Sequence, residues 1–334
     1  MKIKWLSVIQ YLIFLGIGIF LVWWSLHQIP DEKWEDFKGS LKTANYWLMI
    51  PVFLILSLSH VIRSMRWKIL MKPMGYSPGL INVFFAVMIG YLANLAIPRL
   101  GEVLRCTILS RYEKIPADKL IGTILVERAF DVICLGLVFV IAFIGQYDVI
   151  GGYAIQLFRE AFESGSGHFS IQKIVIILLV LTAVIIALVI LFKKLNHLSI
   201  VSAIRKIIRG IWEGLISIRN LQQKGLFLLY SAAIWALYIG GTWVGLWATT
   251  GTAGLGLPAA ISALAFASIG MIITPGGIGA YAFFLAKVLE KNGVSFEIGF
   301  ANGTLQWFAQ FIIILIVGFI CLGLLPWYNK KHAA

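Results

Sequence analysis

The stretch NLAIPRLGEVLRC (residues 94–106) sets a proline, a glycine and three charged side chains directly behind an apolar run, residues 80–97, that is long enough to look like a membrane span. Pro98 removes a backbone N–H, and Gly101 lets the chain turn without a side-chain penalty. Irregular backbone at membrane depth is tolerated only where protein or water surrounds it, so the break implies a cavity. The helix restarting near Gly101 aims its free amides and positive dipole end at that cavity, a natural anion site. Arg99 adds a full charge there.

The rest of the chain supplies the membrane context. Of its 334 residues 60% are hydrophobic and 13% charged, against roughly a quarter charged in soluble domains. The apolar residues collect in runs of about 18 or more, the length that crosses a hydrocarbon core of about 30 Å. The expected fold is an all-α polytopic membrane protein, one integral membrane domain over residues 1–334. A net charge of +13 reads as cytoplasmic loops obeying the positive-inside rule, with no nucleic acid as partner. Cys106, Cys134 and Cys321 form no CxxC pair, and the histidines form no ligand pair at helical spacing; no metal, cofactor or catalytic residue is implied. Lys2 and Lys4 before a long apolar run suggest a signal peptide, but the run is too long and no cleavage site follows, so it reads as a retained first span.

Full spans are expected at 6–26, 46–62, 120–144, 171–192, 226–249 and 303–325. Two further apolar stretches, 80–97 and 258–273, each run into a break. Arg63, Arg66, Lys68 and Lys72, the basic residues between 193 and 224, and Lys330 and Lys331 all belong on the cytoplasmic side. If 80–97 crossed fully, Arg105, Arg111, Lys114 and Lys119 would lie outside. A chain that enters, breaks at Pro98 and returns through 101–111 removes that conflict, which makes a re-entrant hairpin. By the same logic 258–273, Pro275-Gly276-Gly277 and 278–290 form a second hairpin entering from the other side. About six full spans and two re-entrant hairpins then fall into inverted halves, 1–150 and 171–328, an architecture of secondary transporters whose binding site lies at the breaks. Residues 198–221 form a basic amphipathic stripe at the cytoplasmic surface, a connector or a collector of anionic lipid. Both termini are expected in the cytoplasm, at the inner (cytoplasmic) membrane.

The charged core carries the candidate site. VERAFD puts Glu127, Arg128 and Asp131 on one span. Counted from residue 120, Glu127 lies about 10 Å deep and Asp131 about 16 Å. Glu127 and Asp131, four apart, share a face, and ionisable groups at that depth default to a functional reading with a partner. Arg99 and Arg128 are expected to bind substrate. Glu102 and Arg105 are candidates for the same substrate site, with ion pairing that holds the hairpin accounting for part of their presence. Glu127 and Asp131 either orient Arg128 or titrate and couple transport to protons. Pro98, Gly101, Gly276 and Gly277 shape the two breaks. Asn302, Gln306 and Gln310 form the matching neutral face of the second half. Asn94 bonds a neighbouring helix or faces the site. Arg63, Arg66 and Trp67 (RSMRW) read as a cytoplasmic anchor with an interfacial tryptophan, the alternative being a phosphate-binding lip.

In order and spacing, RSMRW, NLAIPRLGEVLR, VERAFD and TPGGIGAY resemble the flippase-like membrane domain of the lysylphosphatidylglycerol synthase superfamily, over nearly the whole chain. The resemblance implies an inner-membrane protein that moves or binds lipid-like molecules. A stand-alone form is expected, without the soluble aminoacyltransferase domain of full-length synthases, since only residues 329–334 follow Trp327 and Tyr328. One departure stands out: many relatives carry a Glu shortly after the Pro-Gly-Gly-x-Gly, whereas here Tyr281 is followed by Ala282. The expected function is a lipid translocase or lipid-binding carrier for an anionic phospholipid or polyprenyl-phosphate-type lipid. No P-loop is visible, so ATP is not the direct driver. The rival readings are a soluble-anion secondary transporter and a polyprenyl-phosphate glycosyltransferase.

Overall fold

The computed structural model describes residues 16, 19–27, 29–97, 100–147 and 221–332. Most of the first expected span, the span at 171–192, the basic stripe up to residue 220, and the break residues Pro98 and Arg99 lie outside the described residues. Every regular element among those described is helical: α1 Trp34–Lys42, α2 Met49–Met71, α3 Leu80–Ala96, α4 Leu100–Glu113, α5 Ala117–Gly145, α6 Lys224–Leu246, α7 Leu257–Ile273, α8 Ala280–Lys291 and α9 Phe296–His332. The stretches Tyr46–Met74, Lys224–Leu246 and Phe296–Lys330 are long and apolar enough to cross a bilayer. The chain is an all-α polytopic membrane protein. Its exterior agrees: Leu54, Leu125 and Phe319 are 62%, 58% and 59% exposed, while Arg66 and Glu127 are 0% exposed. Apolar outside and ionic inside is a pattern for a hydrocarbon solvent.

The structure corrects the end of the second span. α2 does not stop at residue 62 but runs on to Met71 and ends where Pro73 and a left-handed Gly75 (φ 83°) halt it. The added turns carry Arg63 and Arg66 into the protein, where they are buried. RSMRW is therefore not an interfacial anchor. A count of loop charges assigns any arginine at the end of an apolar run to the water side; here carboxylates on another helix compensate the burial.

α3 and α4 form an antiparallel hairpin. At the break a Cβ on Gly101 would lie 1.9 Å from the Gly90 carbonyl oxygen, so the two backbones touch. Asn94 Oδ1 accepts from the Gly101 N–H at 2.8 Å, satisfying one of the donors at the start of α4. At the far end Asn82 donates to Glu113 at 2.6 Å. α7 and α8 repeat the plan: Gly270 lies against the backbone of Ala280 and Tyr281, and the turn between them uses positive φ at Gly276 (62°) and Gly277 (76°). Thr274 Oγ1 donates to the carbonyls of Gly270 and Ile278 at 3.2 and 3.1 Å, tying the turn to α7.

The helix neighbours come in matched sets. α2 packs on α6, α3 on α9 and α7 on α5. All three pairs are antiparallel: Arg66 meets Ser231 while Gly241 abuts Leu56, Leu92 abuts Gly318 while Asn82 meets Asn329, and Phe139 meets Phe266 while Gly145 abuts Pro258. Exchanging the first set of helices for the second leaves this scheme unchanged.

Candidate functional site

Arg63 and Arg66, three apart on α2, face Glu127 and Asp131, four apart on α5. Arg63 Nη1 bonds Glu127 Oε1 and Asp131 Oδ2, each at 2.8 Å. Arg66 Nη2 lies 2.7 Å from Asp131 Oδ1 and 3.6 Å from Glu127 Oε1. From α4, Arg105 Nη2 reaches Glu127 Oε2 at 2.9 Å, and its guanidinium lies over the Trp67 ring at 4.1 Å. Trp67 is fixed in turn by its indole N–H, which donates to Thr123 Oγ1 at 2.8 Å. α6 contributes hydroxyls: Arg66 donates to Ser231 at 3.2 Å and Arg63 to Tyr238 at 3.1 Å. Two carboxylates thus hold three arginines, and the buried cluster keeps one positive charge in excess.

Glu102 and Arg105 both have ion partners, but on α5 rather than on each other. Arg105 pairs with Glu127 rather than Glu102; Glu102 lies instead 3.6 Å from Arg128. Nor do Glu127 and Asp131 hold Arg128. Successive helical residues point about 100° apart, so Glu127 turns into the cluster while Arg128 turns away, its side chain 42% exposed.

Arg128 points to open space. It lines a cavity of about 260 Å³, with Arg63, His60, Tyr238 and Gln306 on other walls. It also lines an adjoining cavity of about 490 Å³, with Asn94 from the first break and Thr274, Pro275 and Gly276 from the second. Tyr91, Met271 and Gln310 are shared by both. The two breaks meet here: a Cβ on Gly276 would lie 3.5 Å from the Leu95 side chain, and Trp307 Nε1 donates to the Gly276 carbonyl at 2.7 Å.

The remaining candidates are placed as follows. Asn302 lines neither cavity; it is fully buried and donates to the Gly245 carbonyl (2.9 Å), Thr249 (3.1 Å) and Thr252 (3.2 Å). Gln306 links it to the site, donating to Asn302 at 2.8 Å and accepting from Tyr281 at 3.4 Å. Gly101 and Gly277 are buried in their hairpins and line neither cavity. Pro98 and Arg99 are outside the described residues. Sequence reasoning missed His60, Tyr91 and Tyr238 as wall residues. The available signal was spacing: His60 and Arg63 lie three apart, on one helical face. Among the described residues no group of His, Cys, Asp and Glu could hold a metal ion.

Comparison with known families now adds a family to this geometry. The sequence model of the lysylphosphatidylglycerol synthase transmembrane region matches residues 8–318. The chain belongs to that family. A relative, the UPF0104 membrane protein MJ1595 of Methanocaldococcus jannaschii, is 36% identical over 106 residues, 31% of this chain and 31% of the relative. The match therefore spans about a third of that relative's length. No solved structure matches the chain. In this member of the family the second break rests on one hydrogen bond from a neighbouring helix. Trp307→Phe removes that bond and leaves the Gly276 carbonyl without it. The thermal midpoint in detergent should fall by the equivalent of about 1 kcal/mol, read by tryptophan-independent circular dichroism; an unchanged midpoint would mean the turn holds itself.

Proposed function

We propose that the protein is a lipid translocase or lipid-binding carrier of the cytoplasmic membrane. An anionic headgroup docks on Arg128 between the two helix breaks, and its acyl or isoprenoid tails stay in the bilayer beside the cavity. One observation carries the reading: a guanidinium at the junction of two cavities, with its nearest described carboxylate 3.6 Å away and its side chain 42% exposed. The matched helix pairs support inverted halves with re-entrant hairpins, which rock to expose the headgroup to either side. The wall of the larger cavity includes Ile272, 69% exposed, so apolar surface continues from the cavity to the exterior. That continuity favours a lipid over a free anion. Transport is passive or ion-coupled, and the chain carries out no catalysis of its own.

Native mass spectrometry of the purified protein, beside Arg128→Ala, tests this. Wild type should retain a phospholipid or isoprenoid phosphate. The variant should bind it about 10–100-fold more weakly, the worth of one or two charge-assisted hydrogen bonds at about 1.5–3 kcal/mol. Folding should be spared, because a half-exposed ion pair contributes about 0–1 kcal/mol. Equal retention on both proteins would remove Arg128 from the site.

A further inference from the structure

The walls of the two cavities are largely apolar, and the charge set into them is one-sided. Arg63 lines the smaller and Arg128 lines both, yet among the described residues no Asp or Glu lines either. Of the carboxylates nearby, Glu127 and Asp131 are bonded to the buried arginines, and Glu102, 3.6 Å from Arg128, lines neither cavity. Among the described residues, helices α6 to α9 bring only neutral donors and acceptors to these walls, among them Gln306, Gln310, Thr242, Ser268, Tyr238 and Tyr281.

Individual polar atoms on these walls lack protein partners. Arg63 is only 5% exposed, and its Nε has no hydrogen-bond acceptor. His60 Nδ1 is buried and unpartnered in the same cavity. Gln310, shared by both cavities, makes no side-chain hydrogen bond to another described residue. Arg63 Nε and His60 Nδ1, buried and left this way, carry a desolvation cost unless something binds them, and the half-buried Gln310 amide is free to bond a ligand.

Resting on the lipid reading above, we infer that the site selects a phosphodiester headgroup bearing hydroxyls and no amine. The phosphate meets Arg128 and Arg63. A glycerol- or sugar-like polyol lies along the amides and hydroxyls of the second half. A glutamine amide offers two donors and an acceptor, so it can both give to and take from a hydroxyl. An ammonium group, as in ethanolamine or aminoacylated headgroups, would enter a cavity of positive charge with no carboxylate on its described walls. Like charges repel, and an ion taken from water without a partner pays its full desolvation. Discrimination here comes as much from exclusion as from attraction.

The full chain in mild detergent is presented, by native mass spectrometry, with phosphatidylglycerol, phosphatidylmethanol and phosphatidylethanolamine of identical acyl chains. Phosphatidylmethanol is a diester with the same charge as phosphatidylglycerol and no hydroxyl. Phosphatidylglycerol should bind at least tenfold tighter than phosphatidylethanolamine and severalfold tighter than phosphatidylmethanol. Gln310→Glu supplies the missing carboxylate and should raise phosphatidylethanolamine binding at least fivefold while weakening phosphatidylglycerol; a gain of binding cannot come from misfolding. Glycerol 3-phosphate and phosphoethanolamine are tested in parallel by thermal shift. Equal, Arg128-dependent binding of all three lipids would overturn the headgroup inference and leave the lipid reading standing. A preference for glycerol 3-phosphate without Arg128-dependent lipid would keep the headgroup chemistry and overturn the lipid. Binding by neither set would overturn both, and an inert Gln310→Glu would remove the second half from the headgroup's wall.

Discussion

Glu127→Ala should destabilise the protein by about 3–5 kcal/mol, the range found when one partner of a buried ion pair is removed. Glu127 is 0% exposed, receives Arg63 at 2.8 Å and Arg105 at 2.9 Å, and lies 3.6 Å from Arg66. Without it three guanidiniums face Asp131 alone. Glu127→Gln should do nearly as much harm, because its shape is kept but its charge is lost and an N–H is pointed toward arginine. The buried thiols of Cys106 and Cys321 give a direct readout: their reactivity toward a fluorogenic maleimide during a thermal ramp should appear many degrees earlier in both variants. Adding Arg105→Met to Glu127→Ala should recover part of the loss, since removing both partners of a buried pair is far milder than removing one. A midpoint within a degree or two of wild type in either single variant would mean the cluster is hydrated and its ions need no partner.

The same need for a partner explains why α5 and α9 differ in charge. Where α5 carries Glu127 and Asp131 opposite the arginines of α2, α9 carries Gln306 and Gln310 at the same spacing opposite α6, which has no arginine. An acid there would be buried without a cation. The neutral pair hydrogen-bonds or faces the cavity instead, as Gln306 does with Asn302 and Tyr281.

What the sequence made legible follows from how local each feature is. The break at residues 94–106 is written in adjacent residues, Pro98, Gly101 and the flanking apolar run, and the hairpin of α3 and α4 is there to be read. The acids of VERAFD stood out because a charge in an apolar helix needs a reason. Their partners did not stand out. Arg63 bonds residues 64 and 68 positions away, and no periodicity reports a contact across that separation. Worse, the rule that places arginines in loops gave Arg63 and Arg66 a satisfactory explanation before burial was considered. Arg128 and Glu127 show the opposite failure: adjacent in sequence, they were read as one constellation, but helical geometry sends one to the cavity and the other to the core.

Gly101 provides the second large effect, because here a single methyl group meets backbone rather than a yielding side chain. In Gly101→Ala the new Cβ would lie 1.9 Å from the Gly90 carbonyl oxygen and 2.7 Å from Asn94 Oδ1. No rotamer change relieves the first clash, so α3 and α4 must separate at the break. That separation pulls Asn94 from the Gly101 N–H and moves Arg105, on the same helix, away from Glu127. Overpacking alone costs about 1–3 kcal/mol, occasionally more, and the disturbed ion pair adds to it; about 3 kcal/mol or more is expected. Gly122 and Gly136 on α5 have nothing within 4 Å of a built Cβ, so the identical substitution there should be neutral or should stabilise by up to about 1 kcal/mol through helix propensity. The thiol-reactivity ramp should therefore show Gly101→Ala opening far below wild type and the two α5 variants at or above it. Lipid retention should fall in Gly101→Ala as well, since Asn94 and Arg128 line the cavity that this hairpin bounds. If Gly101→Ala matched the α5 controls in midpoint, the backbone contact at the break would be looser than described, and the hairpin would not be what fixes the geometry of the site.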